Sequence, residues 1–295
     1  MQNQKKGLIY SIAAFLIWGL LPVYWKLLAS VNAIEILANR IIWALVILIL
    51  ILIWNKKWPE LKTCLKNKKE LLFLLISSIM IGLNWGIYIY AVVSGKILET
   101  SLGYYINPLL AVIIGVIFYK EKLNNLTKAA LGIATIGVLV KALQFGQIPW
   151  LSLALAITFA LYGGIKKSVK AESSLGLTIE TAMLAPLALA YIIYRQSIGL
   201  GAYVTENIWI ILLLIGGGLA TMFPLLLFSS AAKKVPMSTL GFTQYISPTI
   251  GLFLGVFIYH EQFTTGDLIS FALVWLALAI YSYAISSKKS LSKNK

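Results

Sequence analysis

The sequence predicts an all-α integral membrane protein with ten transmembrane helices arranged as two inverted five-helix repeats, and three observations carry that prediction. The 295 residues are 60% hydrophobic and 12% charged, with a mean hydropathy of +0.87, which is far more apolar surface than one water-soluble core can hide. Ten apolar stretches are long enough to cross about 30 Å of hydrocarbon as helices. One segment also occurs twice, 140 residues apart: Tyr105 to Leu123 reads YINPLLAVIIGVIFYKEKL and Tyr245 to Phe263 reads YISPTIGLFLGVFIYHEQF, with seven identities in 19 ungapped positions, among them Pro108/Pro248, Gly115/Gly255 and Glu121/Glu261.

The spans fall near 7–28, 34–54, 71–93, 98–119, 126–143, 149–166, 175–195, 208–231, 236–258 and 267–286. They are helices because lipid offers no partner to a free backbone N–H, and runs this long lack the alternation of a barrel strand. The first follows Lys5 and Lys6 but is too long for a signal peptide and has no small-residue cleavage site, so it is expected to stay as a span. A net charge of +15 is here a topology signal and not a nucleic-acid footprint. With the N-terminus in the cytoplasm, inner segments hold twenty Lys and Arg while outer loops hold only Lys96 and Arg195, which places both termini inside at a cell membrane. The lone Cys64 allows no intramolecular disulfide, and the Asn125-Leu126-Thr127 sequon lies on the wrong side to be glycosylated.

Five spans per copy, an odd number, turn the second copy over. Residues 1–145 then form one repeat, 146–287 its inverted partner, and 288–295 a basic cytoplasmic tail that meets anionic headgroups. Fainter traces pair Trp18-Gly19 with Tyr162-Gly163, and Glu35 with Glu180. Two such halves, related by an in-plane axis, can exchange inward-open and outward-open shapes about a central site.

Proline within a span frees the carbonyl four residues earlier, which is tolerated where it faces protein or water. Pro108 and Pro248 follow Asn107 and Ser247 at equivalent places, so the fourth and ninth spans are expected to line a cavity. Aromatic and polar residues near the midplane give that cavity the walls of an organic-solute site: Trp18, Asn84, Trp85, Tyr88, Tyr104, Tyr105, Asn107, Tyr162, Gln244, Tyr245 and Ser247. Ordinary helix packing would account for any one of them equally well. Trp54, Trp58, Trp150 and Trp209 belong to the interfacial belts.

Among intramembrane charges, Arg40 is the best candidate for gripping a carboxylate or phosphate, although pairing with Glu35 is as simple an account. Lys26 and Glu35 are expected to form a structural pair across the first turn. Glu35 and Glu180 are the coupling candidates, with Glu180 leaning towards a pair with Lys166 or Lys167. Lys141 should snorkel. Gly251 and Gly255, matched by Ala111 and Gly115, read as a close-packing face, and Gly216-Gly217-Gly218 as either a packing site or a hinge.

These residues resemble the drug/metabolite transporter superfamily, in particular the RarD branch of the EamA-type permeases, over nearly the whole chain. The carrying segments include Ile17-Trp18-Gly19-Leu20-Leu21-Pro22, Glu35-Ile36-Leu37 with Arg40-Ile41-Ile42-Trp43, Asn84-Trp85, and Ser101-Leu102-Gly103-Tyr104 leading into Asn107-Pro108. Ile179-Glu180-Thr181 and Ser238-Thr239-Leu240-Gly241-Phe242 with Gln244-Tyr245-Ile246 complete them. The resemblance implies ten helices in two inverted units around a central cavity, with the fifth and tenth spans peripheral. One position departs: RarD sequences often carry histidine where Asn39 stands, so a titrating group there is not implied for this chain.

The expected function is a secondary permease for small organic solutes or metabolites, working by alternating access in the direction of export. No P-loop is present, and no cofactor or metal is expected. An enzyme is disfavoured by the lack of HExxH, by a single histidine (His260) and cysteine, and by the lack of a mid-span aspartate pair. The alternative is a non-transporting membrane partner or scaffold, which leaves the repeat and its mid-span polar residues unexplained. Expected partners are the solute and the lipid bilayer, with a second copy of the chain as a candidate and no nucleic acid.

Overall fold

The computed structural model describes residues 2–94, 96–144, 148–260 and 263–293. The expected boundary between the halves at 145/146, Glu261 of the second repeat copy, and the last two residues of the tail lie outside them.

The described chain is helical throughout. Long helices α1 (Gln2–Lys26) and α2 (Ala33–Trp54) are followed by short α3 (Trp58–Lys66), then α4 (Lys68–Val93), α5 (Ile97–Tyr119), α6 (Asn125–Leu143), α7 (Trp150–Ser168) and α8 (Ser173–Ser197). Short α9 (Ala202–Thr205) precedes α10 (Ile208–Ala232); α11 (Met237–Gln244), α12 (Ile246–Phe253) and a π-helical turn (Leu254–Ile258) form one interrupted rod, and α13 (Thr265–Lys293) closes the chain. Among the described residues nine helical segments are long and apolar enough to cross a membrane. The remaining long helix, α7, has 19 residues but carries Lys166 and Lys167 in its last turn, which lowers its hydropathy.

Asparagine starts several rods where a polar link meets an apolar run. Asn32, Asn124 and Asn207 each accept bonds from backbone N–H groups of the first turn, satisfying donors that would otherwise be orphaned. The ninth predicted span is broken and not continuous. Pro248 has no N–H to offer the carbonyl of Gln244, and α11 ends at that residue. Pro108 leaves α5 uninterrupted. The basic tail from Lys288 continues α13 to Lys293.

The helices pack in pairs, most of which have a counterpart in the other half of the chain. Helix α1 runs beside α11–α12 in the same direction, through Ser11–Thr243, the Ser247 hydroxyl donating to the Phe15 carbonyl, Gly19–Ile250 and Lys26–Tyr259. Likewise α5 runs alongside α7, from Glu99–Ser152 to Tyr119–Ser168. Helix α10 lies on α1 and α2, while α4 lies on α7 and α8. Between the halves, α2 meets α8, α5 meets α11, and α6 meets α13. The end of the bundle carrying the start of α1 is called the near end below, and the opposite end the far end.

Several expected contacts are replaced. Lys26 does not pair with Glu35 but stands over the Tyr259 ring, 3.8 Å from its centroid. Glu35, 1% exposed, instead accepts from Arg195 Nε, Gln196 Nε2 and the Ala202 N–H at 3.3, 3.3 and 2.7 Å, because α9 folds back over the start of α2. Lys141 does not snorkel; it pairs with Asp267 between α6 and α13. Gly251 has open space where a Cβ would stand, so it makes no close-packing face. The Ala111–Gly115 face of α5 does pack closely, against α11: a Cβ on Gly115 would lie 2.9 Å from Met237 Cβ, and one on Gly241 would lie 2.7 Å from the Pro108 carbonyl oxygen and 3.2 Å from Ala111 Cβ. The three-glycine run is a packing site: a Cβ on Gly218 would lie 2.5 Å from Trp43 on α2.

Candidate functional site

Arg40 lies seven residues into α2, roughly 10 Å below the far end at 1.5 Å per residue. Its Nε donates to Thr221 Oγ1 of α10 at 2.8 Å, and its guanidinium carbon stands 4.6 Å from the Trp25 ring and 5.5 Å from the Trp85 ring. Gly217 lets both Arg40 and Trp25 approach α10. Tyr88 of α4 and Tyr104 of α5 complete the surround, within electrostatic reach of the guanidinium. Tyr104 remains 51% exposed. No carboxylate approaches Arg40 within 4.0 Å among the described residues, since Glu35 is taken by Arg195.

The residue beside it is fixed from the far end. Asn39 Nδ2 donates to the Glu35 carbonyl at 2.9 Å, and its Oδ1 accepts from the Tyr203 hydroxyl, which in turn accepts from Trp43 Nε1 at 2.9 Å. Burial and the neighbouring Glu35 push the Tyr203 hydroxyl above its usual pKa, so it stays a donor. Short α9 thereby holds the α2 face that presents Arg40.

Arg40, Trp85, Tyr88 and Tyr104 are thus brought into one cluster; the other sequence candidates are not in it. Trp18 and Tyr162 join Phe15, Phe159 and Phe228 in an aromatic plug nearer the near end, with ring centroids 5.2–6.0 Å apart. Asn84 ties α4 to α7 by donating to the Leu155 carbonyl and to Thr158 Oγ1. Tyr105 and Tyr245, equivalent in the two repeat copies, meet each other: the Tyr245 hydroxyl donates to the Tyr105 carbonyl at 3.3 Å. Gln244 and Asn107 are buried, Asn107 with its Oδ1 unpartnered, while Ser247 is engaged with Phe15. Glu180 pairs with Lys166 at 2.9 Å, both fully buried.

Sequence reasoning missed Trp25, Thr221 and Tyr203. The signal for Thr221 was available, since a buried guanidinium needs an acceptor and this hydroxyl lies one turn beyond the glycine run of α10. Tyr203 had none, because α9 sits in a loop.

At the near end a cation network closes the bundle. Lys57 pairs with Glu172, whose carboxyl is held below its usual range by that contact. Glu70 accepts from the Ala171 N–H, and Lys233 donates to the Ala171 carbonyl. Burial, with Lys166 nearby, lowers Lys233 to about 8. Burial beside Glu70 raises the Cys64 thiol, keeping it unreactive.

The bundle of membrane-length helices thus holds a guanidinium among aromatic faces. The model of the EamA-like transporter family matches twice, over residues 5–142 and 148–283. The "Uncharacterized transporter YojE" of Bacillus subtilis is 43% identical over 98% of both chains, and "Protein RarD" of Escherichia coli is 37% identical over 99% of both. "Chloramphenicol-sensitive protein RarD" of Pseudomonas aeruginosa is 28% identical over 95% of this chain and 94% of its own. A solved structure described as "Crystal structure of protein" superposes with a TM-score of 0.71 at 17% identity, over 94% of this chain and 97% of that one, a likeness of fold alone. The chain belongs to the EamA-like transporter family and is a permease of the RarD type, a multi-pass membrane protein and not an enzyme.

Proposed function

We propose that the chain is a secondary carrier that exports small organic anions or zwitterions across the cell membrane by alternating access, with both termini in the cytoplasm. The observation that carries this reading is Arg40: a guanidinium deep in the bundle, flanked by aromatic faces, bonded to a neutral hydroxyl and, among the described residues, lacking a carboxylate partner. A cation within a membrane span is usually paired, so the place of the counter-ion is open to an anionic solute.

The ten long helices are read as two inverted five-helix halves. Supporting this are the double family match, the pairing of α1 with α11–α12 against α7 with α5, and the meeting of Tyr105 with Tyr245, as residues beside a two-fold axis should meet. The chain also takes a left-handed turn at Lys120 and at His260, 140 residues apart. The bias of lysine towards the near end supports cytoplasmic termini. With the aromatic plug filling the bundle towards the near end and Tyr104 half-exposed on the other side of it, this form is read as open to the outside.

The test compares internal and released metabolites in cells lacking the protein, expressing it, or expressing Arg40→Ala at the same membrane level. A carboxylate- or phosphate-bearing solute should be released only with the unaltered chain. No difference in any solute, or loss confined to uncharged ones, would remove the anion-carrier reading.

A further inference from the structure

Glu180 sits seven residues into α8 from the near end. Its Oε1 accepts one bond, from Lys166 Nζ at 2.9 Å, and its Oε2 has no partner. Two further buried oxygens on other helices are also unpartnered, Ser77 Oγ on α4 and Ser229 Oγ on α10, and the Tyr162 hydroxyl of α7 faces the Glu180 carboxylate. The helices that carry them meet around α8 and α7. Ser78 donates to the Glu180 carbonyl at 3.0 Å; the Tyr162 ring lies 5.8 Å from Lys166 Nζ and stacks on Phe228, the neighbour of Ser229. Leu74, one turn before Ser77, shares Gly176 as a neighbour with Lys166 Nζ.

Three other carboxylates in the bundle are built differently. Glu35 collects Arg195, Gln196 and the Ala202 N–H; Glu121 collects the Met237 and Ser238 N–H groups and the Ser238 hydroxyl; Asp267 collects Lys141 and both donors of Thr264. Those carboxylates have the saturated partners of structural locks. A buried polar atom without a partner costs about 1–3 kcal/mol, and an ion pair with unsaturated surroundings is poor structural cement. A carboxylate oxygen without a full set of partners, with unpartnered hydroxyls on the neighbouring helices, suits water and a mobile proton.

We propose that Glu180 is a proton-binding group that gates the near end, an inference that rests on the carrier reading and adds its regulation by the proton. When the near end opens, a hydronium ion from that side gives its proton to Oε2 and leaves as water. The carboxylic acid then has an O–H to donate towards the orphaned hydroxyls, and Lys166 is left as an uncompensated ammonium that favours the hydrated, open form. Closure reverses the steps. The charged and titratable groups facing Glu180 are Lys166 and Tyr162 from α7 and Lys233 from the turn after α10, with Glu70 of α4 behind Lys233.

The full chain in neutral-lipid nanodiscs, with Cys64→Ser and spin labels at Lys66→Cys and Lys234→Cys, reports the near-end separation as a function of pH. Acidification should shift the population to longer distances, and infrared spectra should gain a protonated-carboxyl band. Glu180→Gln should abolish both responses, and so should Lys166→Met with Glu180→Gln, which buries no unpaired charge if the single variant misfolds. A separation indifferent to pH, or a pH response surviving in either variant, would overturn the proposal. Solute flux failing in every preparation while the Glu180-dependent pH response persists would instead remove the carrier reading and leave the proton site.

Discussion

Replacing Arg40 with alanine separates binding from folding in this protein because of how the guanidinium is held. Its one hydrogen bond goes to Thr221 Oγ1, and that hydroxyl already donates to the Gly217 carbonyl at 2.8 Å, so truncation leaves no orphaned donor behind. The lost contacts with Trp25 and Trp85 are worth about 0.5–2 kcal/mol each, offset by removal of an uncompensated buried charge. Membrane insertion and thermal stability should therefore change little. A charge-assisted bond to a bound carboxylate is worth about 1.5–3 kcal/mol, and at 1.4 kcal/mol per tenfold its loss should raise the apparent KM for an anionic solute by roughly ten- to a hundredfold. The assay is initial-rate flux into proteoliposomes holding matched amounts of each variant, using the carboxylate solutes that metabolite comparison identifies. Arg40→Lys should recover only part of the affinity, since a point charge replaces a bidentate fork. Unchanged KM in the alanine variant, or an equal loss for neutral solutes, would refute the reasoning.

Other expectations follow from the packing. Glu35→Ala strips three donors of their acceptor and should destabilise the folded chain by about 3–5 kcal/mol, read as a fall in melting temperature in detergent; an unchanged midpoint would show that α9 is not held this way. Gly218→Ala should lower stability and yield because its methyl would meet Trp43 at 2.5 Å, whereas Gly251→Ala, facing open space, should not; similar behaviour of the two would contradict the α2–α10 contact. Lys233 has a folded pKa of about 8 against an ordinary 10.5, so the unfolded chain binds more protons between those values. Unfolding free energy should then rise with pH through that window, and Lys233→Met should flatten the rise; an identical slope in both proteins would remove Lys233 as its cause.

Most of the architecture was legible in the sequence because lipid imposes a simple rule: a run of apolar residues long enough to span must be a helix. The starts of α2, α6 and α10 fall within a residue or so of their asparagine caps for the same reason that caps exist in water. Legibility ended where partners come from far along the chain. Nothing local to Glu35 distinguishes Lys26, Arg40 and Arg195 as mates; only the folding of α9 over α2 selects Arg195, and that choice leaves Arg40 without a counter-ion. Pro108 and Pro248 look alike in sequence, yet only the second interrupts its rod, a difference that no residue beside either proline announces. In the site, Arg40, Trp85, Tyr88 and Tyr104 could be nominated one by one from their intramembrane positions, but their convergence depends on how α2, α4 and α5 are set against α10.

The most direct test of a carrier that alternates between its two ends is accessibility measured on both at once, at fixed pH. In a Cys64→Ser background, Tyr104→Cys reports the far side and Ser229→Cys the near side, with labelling rates taken with and without a saturating carboxylate solute. Alternation predicts reciprocal change, the far-side rate falling as the near-side rate rises. Rates that rise together, or that ignore the solute entirely, would contradict it.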